Sequence, residues 1–294
     1  MLEDKLKSLL QQRPYAYQVQ EGLKPLPNVR NIIAVASGKG GVGKSTVSLY
    51  LALALARAGA RVGLLDADIY GPSQPHMLGA LGRSQVTPEK KLLPIVRHGL
   101  QTMSIGYLLD SNTPTIWRGP MLSSALQQLL FDTQWEDLDF LILDLPPGTG
   151  DIQLTLAQKV PLTGSVIVTT PQLVALQVAK KGAKMFQKVG VSVLGYVDNM
   201  STFGCPHCGE ESTLFQKGDI VFDEEQQCPC LGQLPFNSRW MQAVEQGTPD
   251  AIAAKDWDPI QSVAVEMLQA LMRLPRALTL GVAIKTQTTD TGAV

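Results

Sequence analysis

The chain has 294 residues, long enough for one large domain or two small ones, and its 45% apolar and 17% charged residues are spread as in ordinary globular proteins. A formal net charge of −1, with no block of lysines or arginines, argues against nucleic acid and anionic lipid as partners. No apolar run reaches the ~18 residues of a membrane span, and the N-terminus MLEDKLKSLLQQRP is too charged for a signal peptide, so a cytoplasmic protein is expected.

A helix is predicted over residues 2–12, where Leu2, Leu6, Leu9 and Leu10 share one stripe, and Pro14, Pro25 and Pro27 end it. Residues 1–27 therefore read as a short leader. Strand runs then alternate with helical stretches: a strand over 32–37, a helix to about residue 58, and strands over 62–66, 140–144, 165–170 and 191–197. Near-continuous Val/Ile/Leu strands separated by helices predict an α/β fold, a predominantly parallel sheet covered by helices on both faces. The pattern weakens into short strands and turns over 71–111. It stops again over 201–230, a Gly/Cys/Glu-rich stretch read as an insertion before LGQLP resumes the sheet. Beyond Pro259 a helix carrying Val263, Met267, Leu268, Leu271 and Met272 is expected to dock on the body. One domain over 28–278 and a disordered tail over 279–294 complete the expected organisation.

Residues 38–46 read GKGGVGKST, the G-x-x-x-x-G-K-[ST] pattern, between a predicted strand and a predicted helix. Gly38, Gly40, Gly41, Val42 and Gly43 let successive N–H groups face phosphate oxygens at a helix N-terminus. Lys44 then reaches the outer phosphates of ATP, with no core contact of its own expected, Ser45 holds Mg²⁺, and Thr46 closes the motif. Lys39 is a second lysine inside the loop; it is either solvated or reaches across a dimer interface to a partner's nucleotide. Asp66 and Asp68 lie at the carboxyl end of one strand and Asp144 at the end of another, where open α/β sheets bind ligands. Asp66 and Asp144 suit Mg²⁺ held through water, Asp68 suits orientation of the attacking water, and the Gly148 backbone suits a γ-phosphate.

All four cysteines, Cys205, Cys208, Cys228 and Cys230, fall within one short segment, a cluster that binds metal more often than it forms disulfides in a reducing compartment. Cys205-Pro206-His207-Cys208 places two thiols on one turn, which leaves a metal half satisfied. Either Cys228 and Cys230 complete a four-thiolate site within the chain, or a second copy supplies another pair. Spacing alone favours Zn²⁺ and a zinc-ribbon reading. His207 is expected to point to solvent, and His76 and His98 to be ordinary loop residues.

In order, GKGGVGKST, LLDADIYGPS, WRGPM, LDLPPGTGDIQLT, TTPQ and DNMSTFGCPHC resemble the Mrp/ApbC-type iron–sulfur cluster carrier ATPases, over roughly residues 28–250. These belong to the deviant-Walker group that includes MinD, ParA and the nitrogenase iron protein. The resemblance implies a homodimer with ATP between subunits and Lys39 as the cross-subunit lysine. It further implies an adenine-side role for Asn199 and an iron–sulfur cluster, [4Fe-4S] by ligand count, on Cys205 and Cys208. Apo iron–sulfur proteins, and a cluster scaffold, would be the partners. It says nothing for Cys228 and Cys230, and the leader is too short for the extra N-terminal domain that many relatives carry. A MinD/ParA-like regulatory ATPase with structural zinc is the rival reading. An electron-transfer reductase is a third, set against it by the lack of cysteines between Asp66 and Asp144.

Overall fold

The computed structural model describes residues 1–12, 16–69, 71–108, 119–205, 207–208, 210–215 and 228–276. The tail expected over 279–294 and most of the cysteine-poor part of the predicted insertion lie outside the described residues. The elements run in chain order α1 (Leu2–Gln11), β1 (Val29–Ser37), α2 (Lys44–Arg57), β2 (Val62–Asp66), α3 (Gln74–Met77), β3 (Ile95–Arg97) and β4 (Leu100–Ser104). They continue with α4 (Gly119–Phe131), β5 (Leu138–Asp144), α5 (Asp151–Lys159), β6 (Gly164–Thr169), α6 (Leu173–Lys188) and β7 (Val193–Gly204). β8 (Glu211–Thr213), β9 (Cys230–Phe236), α7 (Ser238–Glu245) and α8 (Asp258–Met272) complete the chain.

The described strands form one sheet in the order β3-β4-β2-β5-β1-β6-β7-β8, with β9 also on β7. Pairing is parallel except where β3 meets β4 and β8 meets β7. Its central strands, β1, β2, β5 and β6, are buried along nearly their whole length, as their apolar runs require. The helix α2, apolar on every side, is correspondingly buried from Val47 to Leu55 and runs between the sheet and α8. Tyr50 of α2 stacks on Trp240, ring centroids 4.5 Å apart, with Trp257 edge-on.

The packing refines several expectations and meets one. The described part of residues 1–27 packs on the body: α1 lies on α8 with Leu6 fully buried, Tyr17 bridges to Arg276, and Gln20 Nε2 donates to the carbonyl of Ala157. The predicted insertion starts later than residue 201, because β7 continues through Gly204. The helix beyond Pro259 does dock, burying Val263, Met267, Leu268 and Leu271, while Met272 stays exposed. His76 sits in α3 rather than a loop, and His98 clamps the β3–β4 turn, its ring bonded to Asp250 and to the carbonyl of Leu78.

Candidate nucleotide site and cysteine hairpin

The phosphate loop leaves the buried end of β1 and enters α2 through two residues in left-handed conformation, Gly41 (φ 79°) and Gly43 (φ 80°). Such a backbone turns consecutive N–H groups the same way, and only glycine adopts it without strain. A Cβ on Gly40 or Gly41 would meet nothing within 4 Å, which leaves room above the loop for an anion. A Cβ on Gly43 would instead run into the Asn199 amide, and one on Gly38 would lie 2.6 Å from Val178. Asn199, at the middle of β7, donates from Nδ2 to the Val42 carbonyl at 2.8 Å, so here it braces the loop from below. Lys39 is tethered within its own chain, Nζ donating to Gln172 Oε1 at 2.9 Å, and Ser37 Oγ donates to its carbonyl.

The parallel register sets Asp66 of β2 beside Asp144 of β5, both fully buried. Asp144 is heavily solvated by the protein. Lys44 Nζ lies 2.5 Å from its Oδ1, Ser48 Oγ donates to the same oxygen at 2.9 Å, and Gln74 Nε2 donates to Oδ2 at 3.0 Å. The expectation that Lys44 holds no core contact is thus corrected: without nucleotide its ammonium, 6% exposed, neutralises a buried carboxylate. Asp66 accepts from the backbone N–H of Asp68 and of Gln74 and from Ser104 Oγ. Burial first, and the neighbouring Asp144 charge second, push the Asp66 carboxyl up to about 7. Asp68 follows two residues later at the loop surface, half-buried. Gly148 is in left-handed conformation (φ 111°), and its N–H donates to the Ser37 carbonyl at 2.9 Å, so contact with a phosphate would require that bond to open.

Hydroxyl and carboxylate oxygens of Ser45, Asp66 and Asp144, gathered at one helix N-terminus, are the hard donors that Mg²⁺ takes. The open glycine nest beside them fits a nucleotide's phosphates. With both bound, Mg²⁺ would neutralise charge on the phosphates, and Lys44 would exchange Asp144 for phosphate oxygen.

The ParA family model, described as the NUBPL iron-transfer P-loop NTPase, matches residues 28–272. The chain belongs to this family. It is 52% identical over 252 residues to an iron-sulfur cluster carrier protein of Pseudomonas fragi, covering 85% of this chain and 86% of that one. It is 54% identical over 227 residues to the carrier protein of Escherichia coli, 76% of this chain but only 62% of that longer one. Among solved structures, a nucleotide-binding protein from Archaeoglobus fulgidus in complex with ADP aligns with a TM-score of 0.69 at 35% identity, covering 87% of this chain and 95% of that one. The Pyrococcus furiosus cell division ATPase MinD shares the fold, with a TM-score of 0.60 at 19% identity over 81% of this chain and 98% of its own. The chain is accordingly a P-loop ATPase, and no described helix is long and apolar enough to cross a membrane.

Ser48, Gln74 and Ser104 bond the two aspartates from outside the quoted motifs, whereas Gln172, which holds Lys39, lies in TTPQ, a motif given no role by the sequence reading. Of the first three, only Ser48 leaves a trace in sequence, as a polar residue one helical turn beyond Lys44 on an otherwise apolar helix. The others arrive from distant segments through the fold.

The cysteines occupy two separate places. Cys205 and Cys208 lie just past the end of β7, on the turn into β8, Cys208 exposed and Cys205 half-buried. N–H groups of Cys208 and His207, then the Cys208 thiol, hold the Cys205 thiol below the usual thiol range, so this turn favours thiolate. Cys230 begins β9 opposite Tyr196, nine residues before Cys205 along β7, a span of about 30 Å in a straight strand. Cys228 is buried, its thiol pushed up to about 12 by desolvation and then by Cys230. A single-chain four-thiolate site is therefore not formed: among the described residues no three metal-ligating side chains converge. The reason is topological. β9 runs parallel to β7 and must begin again at that strand's far end.

Proposed function

We propose that this ATPase carries an iron–sulfur cluster, bound on Cys205 and Cys208 from each of two copies, and passes it to apo-proteins under control of ATP. One observation carries the reading: a single strand links the two sites. Asn199 on β7 braces the phosphate loop through Val42, and six residues later the same strand delivers Cys205. Between them Met200 takes a left-handed backbone (φ 56°), unusual for a side chain of its size, and the β7–β9 register shifts beyond Asn199. Movement of the loop on nucleotide binding would pass along β7 to the thiols. The names of the 52% and 54% identical relatives support the cargo. In the dimer, Lys39 leaves Gln172 for the partner's nucleotide, and four thiolates make the ligand set of a [4Fe-4S] cluster. The separation of the two cysteine pairs weighs against the zinc-ribbon alternative.

Anaerobic reconstitution with iron and sulfide tests this. Four irons are expected per two chains, with the cluster lost in Cys205→Ser and Cys208→Ser and kept in Cys228→Ser. One zinc per chain, lost in Cys228→Ser, would overturn the reading. Added ATP should change the rate of cluster transfer to an apo-ferredoxin, and Asn199→Ala should remove that dependence.

A further inference from the structure

Gln74 stands at the start of α3, directly after the Asp66–Ser73 loop, and is 1% exposed. Its side chain joins two of the oxygen-bearing segments named above. Nε2 donates at 3.0 Å both to the Ser45 carbonyl and to Asp144 Oδ2, while its backbone N–H donates to Asp66 Oδ2 at 3.1 Å. Those two acceptors also decide which way the amide faces. Turned over, it would set its own oxygen against a carbonyl and a carboxylate with no proton between them.

In the orientation that remains, Oε1 finds no partner among the described residues, and neither does the buried Ser73 hydroxyl next to it. A buried acceptor left unmade costs about 1–3 kcal/mol, so such atoms call for a donor. Oε1 shares its carbon with an Nε2 already fixed between Ser45 and Asp144, which keeps it at the end of the site where the hard oxygen donors gather. The donors brought there by a hydrated Mg²⁺ are its coordinated waters, since this ion keeps several of them when it binds.

We propose that Gln74 is a positioning residue for the nucleotide's Mg²⁺. Its Oε1 accepts a hydrogen bond from a metal-bound water, while its Nε2 holds the Ser45 turn and the Asp144 carboxylate in place. The role rests on the nucleotide-site reading given above. It also gives α3 a part in the site: Gln74 is the only residue of that short helix bonded to both carboxylate strands among the described contacts, and α3 packs against α7.

The test reads metal affinity rather than turnover. Mn²⁺ binding to the full chain with ADP is measured by the loss of the free-ion EPR signal, for wild type, Gln74→Leu and Gln74→Met. ADP affinity is measured beside it in excess chelator. Removing an outer-sphere partner of a metal site weakens the metal by about 10- to 100-fold. That loss is expected in both variants, and it exceeds any loss of metal-free ADP affinity, which reports the separate brace of Nε2 on the Ser45 turn. Unchanged Mn²⁺ affinity in either folded variant overturns the proposal. So does an equal loss of ADP affinity without metal, which marks Gln74 as a structural brace only. Failure of the wild type itself to bind ADP, with Lys44→Ala no different, removes the nucleotide-site reading and the Gln74 role together.

Discussion

Replacing Lys44 with alanine tests the phosphate loop without any nucleotide. Its ammonium is 6% exposed and 2.5 Å from a carboxylate with no exposure at all. Removing one partner of a buried ion pair costs about 3–5 kcal/mol, because the survivor keeps its desolvation without its counter-charge. Ser48 and Gln74 still donate to Asp144 in the variant, which moderates the loss. Asp66 on the adjacent strand acts in the other direction, as a second carboxylate in the same dry space. A destabilisation of about 3–4 kcal/mol is expected for the ligand-free protein. At about 2–4 °C per kcal/mol, this lowers Tm by roughly 6–16 °C. Thermal and urea unfolding of wild type, Lys44→Ala, Asp144→Asn and the double variant make the assay. The double variant should recover much of the loss, with a coupling energy of about 2 kcal/mol. Strictly additive losses, or a Tm unchanged in Lys44→Ala, would refute the argument.

Two further predictions concern protons on buried groups. Asp66 is raised from 3.8 to about 7 in the ligand-free protein, so it holds its proton in the fold at pH values where the unfolded chain has lost it. Its contribution to stability is complete below its unfolded value and drains away as pH rises toward 7. The stability of wild type relative to Asp66→Asn should therefore fall between pH 4 and 7 and level off above; a flat difference across that range would show that Asp66 is ionised throughout. For the cysteines, iodoacetamide labelling of the metal-free protein at mildly alkaline pH, mapped by mass spectrometry, should modify Cys205, Cys208 and Cys230 before Cys228. The Cys228 thiol is 5% exposed and pushed up to about 12, and the thiolate is the reacting form. Labelling of Cys228 at the rate of the others would contradict its buried placement.

Much of the nucleotide site was legible in the chain because it is local. Gly38 to Thr46 are consecutive, and their chemistry is that of one turn with a strand before it and a helix after it. Asp66 and Asp144 could be read as well, since each ends an apolar run that can only be a buried strand. What the chain alone determined is therefore the α/β class, the phosphate loop, and the carboxylates at the ends of their strands. Tertiary structure decided the rest. Lys44 and Asp144 are 100 residues apart, and Gln74 reaches Asp144 across 70, contacts that the pairing of β5 with β1 on one side and β2 on the other produces. The docking of α1 on α8 was hidden for the same reason, because one apolar stripe on a short helix does not say which surface will cover it. The cysteines make the limit plainest. Spacing suggested one site, and the sheet divides them, since a parallel strand must start again at the far end of its neighbour and so carries Cys228 and Cys230 away from the turn that holds Cys205 and Cys208.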